Sequence, residues 1–517
     1  MLVVGGGRSD AHIRARWRPP EGYPFAPQTK FVRLPRVKFG QEDTERVIRE
    51  AAQIATAYVA GNRDRGEPVV RRASAEELLE RMDLAPPQVG RPLDDLLDDV
   101  RQTLHYSVRT GHPGFSNQLF GDQDAAGLLG EWMTALLNTS MYTFEVAPVV
   151  TLMEQALMSH MCALVGWTGD QGEGVLTPGG SIANLMAMLA ARNRARPEVK
   201  ERGLDGSARL VACMSEEAHY SVERAASVLG LGTSAVRKIP VDECGRMLPA
   251  ALEQALEQVV ADGGEPFFVC ATASTTVAGA FDSLEDVSRI AERHGAWMHI
   301  DAACGGSVLL SPRHRDLMRG CERADSVTWN PHKMMGVPLA CSALLMREQG
   351  LLASTNGMGA DYLFHGGADA RWDLGDLTLQ CGRRVDALKL WLSWRALGDE
   401  GHAARIEHLF QIAEDLRDRI RSRPAFELLR EPQGCNTCFH YVPASLQGLA
   451  PGPQRSQRLG QVTVELRERL RSDGRLLINY APLDGVAAFR HVANNQQVTG
   501  QDLDLLLDEI EAQGAGL

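Results

Sequence analysis

The sequence is short of positive charge: 54 Lys and Arg stand against 66 Asp and Glu, a net charge of −12 at pH 7. A deficit of that size argues against nucleic acid or an anionic membrane as the main partner, although one local arginine is enough to receive an acidic small molecule. Long apolar runs are also missing, and none approaches the roughly 20 residues that a membrane-spanning helix needs. Residues 1–40, rich in Arg, Pro and Gly, have neither the apolar core of a signal peptide nor a helical period, and they read as a loosely ordered extension. No internal repeat or low-complexity tract stands out. The ten cysteines form no metal-ligand set. Cys435-Asn-Thr-Cys438 has CxxC spacing, but no second pair lies nearby and the run is strand-like, so packing is expected there rather than metal or redox chemistry. Thiols scattered through strand-like runs imply a reducing, cytoplasmic setting.

What is present is the composition of an ordinary globular protein, 44% hydrophobic and 23% charged over 517 residues. That length suits one large domain with smaller companions. Residues 41–104 carry apolar positions at three- and four-residue spacing over Glu42–Val59 and Ser74–Met82, which predicts amphipathic helices. From about 105 to 390, helical runs such as Ile182–Arg194 and Leu284–His294 alternate with strand candidates at Arg209–Met214, Phe267–Ala271, Trp297–Ile300, Ser326–Trp329 and Ser342–Met346. Alternation of this kind predicts an α/β domain whose mostly parallel sheet is covered on both faces, with ligands at the strands' carboxyl ends. Residues 391–517 read as a smaller α+β domain. Its predicted helices are Lys389–Leu397, Ala403–Ser422, Gln461–Ser472 and Gly500–Gln513, and its strands lie near 427–429, 437–441, 476–480 and around Arg490.

Two residues stand out chemically. Lys333 lies in Asn-Pro-His-Lys-Met-Met, about thirty residues after Asp301, which ends a strand-like run in His-Ile-Asp-Ala-Ala. A lysine amine can form a Schiff base with an aldehyde cofactor, and a buried carboxylate can keep that cofactor's ring nitrogen protonated; the pair is the mark of a pyridoxal phosphate (PLP) enzyme. The glycine-rich turn Thr177-Pro-Gly-Gly-Ser, with Gly180 and Ser181, leads straight into a helix and offers backbone N–H groups to a phosphate. His219 follows the strand around 210–213 and supplies a flat ring to stack on the cofactor. Thr272 and Thr275 follow another strand and are placed to reach the cofactor or substrate edge.

Together with Arg-Thr-Gly-His-Pro-Gly-Phe-Ser-Asn-Gln-Leu (109–119), Met-Gly-Val-Pro-Leu-Ala-Cys-Ser-Ala-Leu-Leu (335–345) and Leu-Gln-Cys-Gly-Arg-Arg-Val-Asp-Ala-Leu-Lys-Leu-Trp (379–391), these strings resemble the group II PLP-dependent amino acid decarboxylases, in the glutamate and cysteine sulfinate branch. The resemblance implies the aspartate aminotransferase-like fold type I, a homodimer with active sites at its interface, and no metal. It assigns Lys333 to the Schiff base, Asp301 to the ring nitrogen, and His219 to stacking on the ring. Ser181, Gly180 and His332 go to the phosphate, and Ala303, Thr272, Thr275 and Gln118 to the rest of the cofactor's surroundings. Tyr362, in Asp-Tyr-Leu-Phe, becomes the proton donor to the substrate's Cα, and Arg490 the grip on its distal acid.

Substrate length turns on three positions. Phe120 stands where the family's glutamate enzymes have serine, and Ser140 and Tyr142 stand where they have asparagine and phenylalanine. This pattern, with Gln118 beside it, looks like the cysteine sulfinate and aspartate enzymes, because a bulky Phe120 fills the space of a longer side chain. A methylene in an apolar pocket is worth roughly 1–3 kcal/mol, so the tilt is toward shorter acids without forbidding glutamate. The expected reaction is therefore α-decarboxylation of aspartate to β-alanine or of cysteine sulfinate to hypotaurine. Glutamate to γ-aminobutyrate is the alternative; a substituted or carrier-tethered aspartate and an inactive regulatory homologue are further readings. The chain departs from the family at Cys304, where tryptophan is usual, in a stretch between Phe364 and Cys381 about two residues shorter than expected, and in the first forty residues.

Overall fold

The computed structural model describes residues 39–204, 209–359 and 369–517; Tyr362 and nearly all of the expected 1–40 extension lie outside them. The described chain opens with helices Gln41–Gly61, Ala75–Arg81 and Leu93–Tyr106. Ser74 starts the second through a capping box, its hydroxyl accepting from the Glu77 N–H while the Glu77 carboxylate accepts from the Ser74 N–H.

A two-residue strand, β1 (Phe115–Ser116), comes first but belongs to a smaller sheet. The large sheet takes the next seven strands: β2 (Glu173–Thr177), β3 (Leu210–Ser215), β4 (Val236–Ile239), β5 (Glu265–Thr272), β6 (Trp297–Ala302), β7 (Ser326–Trp329) and β8 (Ser342–Met346). Their spatial order is β2-β8-β7-β6-β5-β3-β4. Strands β4, β3, β5, β6 and β7 run parallel, and β8 is antiparallel to both β7 and β2. Two reversals restore direction, so the carboxyl end of β2 lies on the same side as those of β3, β5, β6 and β7. Every residue of β3, β6, β7 and β8 is buried, as expected of strands covered by helices on both faces.

One helix, Pro148–Val165, is long and apolar enough by composition to cross a membrane, contrary to the expectation that no run came near. Its apolarity has another cause: Leu157, Met158, Met161, Cys162 and Val165 are buried in the main core against the sheet.

The smaller sheet is completed by β9 (Phe426–Leu428), β10 (Asn436–Tyr441), β11 (Leu477–Leu483) and β12 (Val486–Val492), in the order β1-β11-β12-β10-β9. Only β1 runs parallel to its neighbour, pairing Phe115 with Leu477 and Ser116 with Ile478. The segment 115–116, expected in the large domain, is thus a strand of the small sheet. The helix Asp386–Ser422 breaks at Gly398 (φ 62°), between the two helices expected at 389–397 and 403–422.

Candidate active site

The carboxyl ends of the aligned strands gather the expected residues. Asp301 is the penultimate residue of β6 and pairs in register with Thr272 on one side and Thr328 on the other. Its carboxylate is buried. Oδ2 accepts from Asn184 Nδ2 at 2.8 Å and Oδ1 from the Ala303 N–H at 3.1 Å. Among the described residues no lysine or arginine forms an ion pair with it, and the two groups it accepts from, an amide NH2 and a backbone N–H, are neutral.

Lys333 follows β7 in a tight turn, its N–H donating to the Asn330 carbonyl at 3.0 Å. Asn330 in turn donates its N–H to the Ala303 carbonyl at 3.1 Å, tying the lysine turn to the Asp301 turn. His219, half-buried after β3, feels both: burial lowers its pKa, the Asp301 carboxylate raises it and the Lys333 amine lowers it. Its Nδ1 accepts from the Ser221 N–H at 3.3 Å. These three residues therefore converge.

Gly180 and Ser181 open the helix Gly180–Ala195 directly after β2. Gly179 has φ 134°, a value side-chain-bearing residues rarely adopt, and a Cβ on Gly180 would come within 2.9 Å of Asn330 Nδ2. The helix N-terminus, with its unpaired first N–H groups, thus abuts the lysine turn. Buried oxygens without hydrogen-bond partners cluster nearby, namely Thr272 Oγ1, Ser274 Oγ and Asn330 Oδ1.

Two expected residues are committed elsewhere. Thr275 is fully buried and its Oγ1 accepts from the Ala280 N–H at 3.0 Å, closing its own loop. His332 Nδ1 lies 2.6 Å from the Cys341 carbonyl and 3.2 Å from the Cys341 N–H, so the ring is tied to that peptide through Nδ1, and burial lowers its pKa to about 4.

Arg490, on β12, is buried. Nη1 donates to the Thr276 carbonyl at 3.1 Å and Nη2 to the Asn117 carbonyl at 2.6 Å. Nε has no hydrogen-bond partner among the described residues, so Nε–H and one N–H on each terminal nitrogen are left for a ligand. Asn494 clamps the same segment by donating to the carbonyls of Gln118 (2.7 Å) and Phe120 (2.8 Å). Phe120 is thereby fixed near the guanidinium, its ring 6.3 Å from that of Phe115; the Gln118 side chain is exposed. Ser140 and Tyr142 are held by another part of the chain. The Arg383 N–H donates to Ser140 Oγ at 3.0 Å, and the N–H groups of Leu374 and Gly375 donate to the Tyr142 carbonyl.

Comparison with known proteins matches this geometry to a family. The model of the pyridoxal-dependent decarboxylase conserved domain matches residues 75–442. The chain belongs to the pyridoxal-dependent decarboxylase family. Mouse cysteine sulfinic acid decarboxylase is 46% identical over 456 residues, covering 87% of this chain and 92% of the mouse protein. A crystal structure of mouse CSAD in apo form superposes with a TM-score of 0.89 at 43% identity, covering 92% of this chain and 100% of that one. Catharanthus roseus tryptophan decarboxylase, in complex with L-tryptophan, is 25% identical with a TM-score of 0.81, over 92% and 98% of the two chains. This decarboxylase is thus a PLP-dependent enzyme acting on amino acids, in the branch and fold type the motifs indicated.

The residues present fit PLP. Among the described residues a buried carboxylate has no cationic partner, a helix N-terminus abuts the turn that carries the lysine, and the hydroxyl or amide oxygens of Thr272, Ser274 and Asn330 lack hydrogen-bond partners.

Several residues of the decarboxylase site escaped the sequence reading. Asn184, His299, Ser221 and Ser326 surround Asp301, and Asn436 Nδ2 donates to the Thr276 and Val277 carbonyls, both at 3.0 Å, fixing the loop that carries Thr275. His299 was discoverable: it precedes Asp301 by two residues on one strand and so shares its face. Cys304 proves to be buried, and burial raises its thiol pKa while the Lys333 amine and the Arg490 guanidinium oppose that shift.

Proposed function

We propose that this decarboxylase removes the α-carboxylate of cysteine sulfinate, giving hypotaurine, and by the same contacts that of aspartate, giving β-alanine, as a homodimer. The observation that carries the reading is Arg490. It is a buried guanidinium with an unpaired Nε–H, and Phe120 is fixed beside it in a segment that Asn494 clamps. A sulfinate or carboxylate matches that fork, and Phe120 shortens the distance available between the acid and Cα. The 46% identity to mouse cysteine sulfinic acid decarboxylase supports the shorter acid over glutamate.

When bound, PLP supplies an electron sink for the pair left by the broken Cα–carboxylate bond. The chain does the rest. Lys333 would offer its amine, Asp301 would hold the ring nitrogen's proton, and Ser181 with the Gly180 helix start would receive the phosphate. His219 would cover the ring, with Ala303 and Thr272 beside it. Arg490 would orient the substrate by holding its far end. Tyr362 is assigned to return a proton to Cα.

The homodimer is supported by apolar side chains left exposed on neighbouring surfaces, Leu129, Trp132, Leu136 and Leu137 on the helix Ala125–Leu137 together with Val146, Val149 and Leu152. Ten free cysteines, most of them buried, support a reducing, cytoplasmic setting. A product assay with cysteine sulfinate, aspartate, cysteate and glutamate tests the substrate. The expected order of kcat/KM places cysteine sulfinate or aspartate first and glutamate last; preference for glutamate overturns the reading.

A further inference from the structure

Behind Asp301, away from the side where a ligand would lie, runs an unbroken line of hydrogen bonds through buried side chains. Trp297 Nε1 donates to Ser326 Oγ at 2.8 Å, and Ser326 Oγ meets His299 Nδ1 at 2.8 Å. His299 Nε2 meets Asn184 Oδ1 at 3.1 Å, with Thr328 Oγ1 further off at 3.4 Å, and Asn184 Nδ2 donates to Asp301 Oδ2 at 2.8 Å. The second N–H of Asn184 goes to Ser221 Oγ at 2.9 Å, so the amide is saturated. Trp297, Ser326, His299, Asn184 and Asp301 are all buried, and His299 stacks on Phe268 with centroids 5.6 Å apart.

The direction of the line follows from its carboxylate end. A carboxylate accepts, so Asn184 turns its NH2 to Asp301 and its Oδ1 to His299, which then donates from Nε2. Burial lowers the His299 pKa to about 4 and keeps the ring singly protonated, so Nδ1 accepts from the Ser326 hydroxyl, whose oxygen in turn accepts from Trp297 Nε1. The reverse amide orientation would set an oxygen against Asp301.

We propose that Asn184, His299, Ser326 and Trp297 form a one-way relay of neutral donors that holds the Asp301 carboxylate and aims it at the cofactor's ring nitrogen, making Asn184 and His299 positioning residues. A cation in their place would neutralise the carboxylate and compete with the ring for it. Neutral donors aligned in a dry interior polarise one another, holding the anion while leaving its remaining lone pairs free. The inference rests on the assignment of Asp301 to the ring nitrogen.

The test titrates apo-protein with PLP and follows two quantities, the dissociation constant and the pH midpoint of the bound cofactor's visible band. His299→Leu cuts the relay and is expected to raise the dissociation constant about tenfold, the scale of leaving a buried amide oxygen such as that of Asn184 without its donor, and to move the midpoint. His299→Gln can rebuild both bonds, accepting from Ser326 and donating to Asn184, and is expected to return both readings to within about threefold of the parent, the residual being the change of ring for amide. Ser326→Ala is a milder cut that reads the same two quantities should His299→Leu fail to fold. Asp301→Asn runs in parallel. If it changes both readings while His299→Leu and Ser326→Ala do not, or if Gln and Leu at 299 are equally impaired, the relay is overturned. If Asp301→Asn changes neither, the ring assignment falls and the relay with it.

Discussion

At the scale of single residues, the site is a division of labour between charge and shape. Arg490 supplies charge where the substrate's far end lies, and Phe120 supplies bulk; both are fixed through the backbone of residues 117–120, held by Arg490 itself and by Asn494. Replacing Phe120 with serine opens space without touching the guanidinium. Phe120→Ser is expected to shift the ratio of kcat/KM for glutamate over cysteine sulfinate upward by about 10-fold, within the range one methylene commands, and an unchanged ratio in competition assays would remove Phe120 from specificity. Lys333 and Asp301 stood out in the sequence because each sits in a string whose chemistry is distinctive, whereas Arg490 came only with the family resemblance. Their supports were not legible. Asn494 meets Gln118 across 376 positions of sequence, and Asn436 meets the 275–277 loop across about 160, separations that no local pattern encodes. Thr275 and His332 show the converse: a residue in a telling string can be spent on holding its own turn.

Among elements, strands Ser326–Trp329 and Ser342–Met346 have the bounds the sequence suggested, since each is a short, fully buried run between turn residues. Strand Val236–Ile239 escaped because, at the sheet's edge, it carries exposed Arg237 and Lys238. Helix Ala125–Leu137 escaped for a different reason: it is apolar nearly all round, so it has little helical periodicity to read. Its inner face crosses the helix Asp386–Ser422 so closely that a Cβ on Gly130 would lie 2.4 Å from the Lys389 Cα. Backbone cannot yield as a side-chain tip can. Gly130→Val is therefore expected to destabilise the fold by roughly 1–3 kcal/mol, read as a lower Tm and a lower denaturant midpoint, and an unchanged Tm would contradict this packing.

For the whole molecule, pH acts through buried rings. His299, His332, His402 and His491 are each lowered by burial from 6.5 to about 4. Between those values the unfolded chain binds protons that the folded chain refuses, so their contribution to stability is full above pH 6.5 and is lost as pH falls towards 4. Asp282, raised by burial to about 6, acts in the opposite sense, its contribution being lost as pH rises through that value, and burial raises Glu173, Glu217 and Asp386 as well; against these four carboxylates stand eight histidines, since burial also lowers His112, His219, His314 and His440. Tm is expected to fall by several degrees from pH 7 to pH 5. His402, whose ring nitrogens have no hydrogen-bond partner among the described residues and which packs edge-on against Trp394, is the group to replace: His402→Phe is expected to flatten the decline, and an equally steep decline would contradict the assignment. Assembly is the second property at this scale. Charges at two exposed apolar positions, in Leu129→Glu with Leu136→Glu, are expected to halve the mass measured by sedimentation and to depress activity with it; an unchanged mass would move the interface elsewhere.

All of this chemistry depends on the cofactor being tethered to one amine. The direct measurement is borohydride reduction of the purified yellow protein, followed by proteolysis and mass spectrometry of the peptide containing Asn330 to Met335. The account predicts a phosphopyridoxyl mass on Lys333, absent from Lys333→Ala, which should also lack the visible band. A mark on another lysine, or a visible band that survives Lys333→Ala, would contradict it.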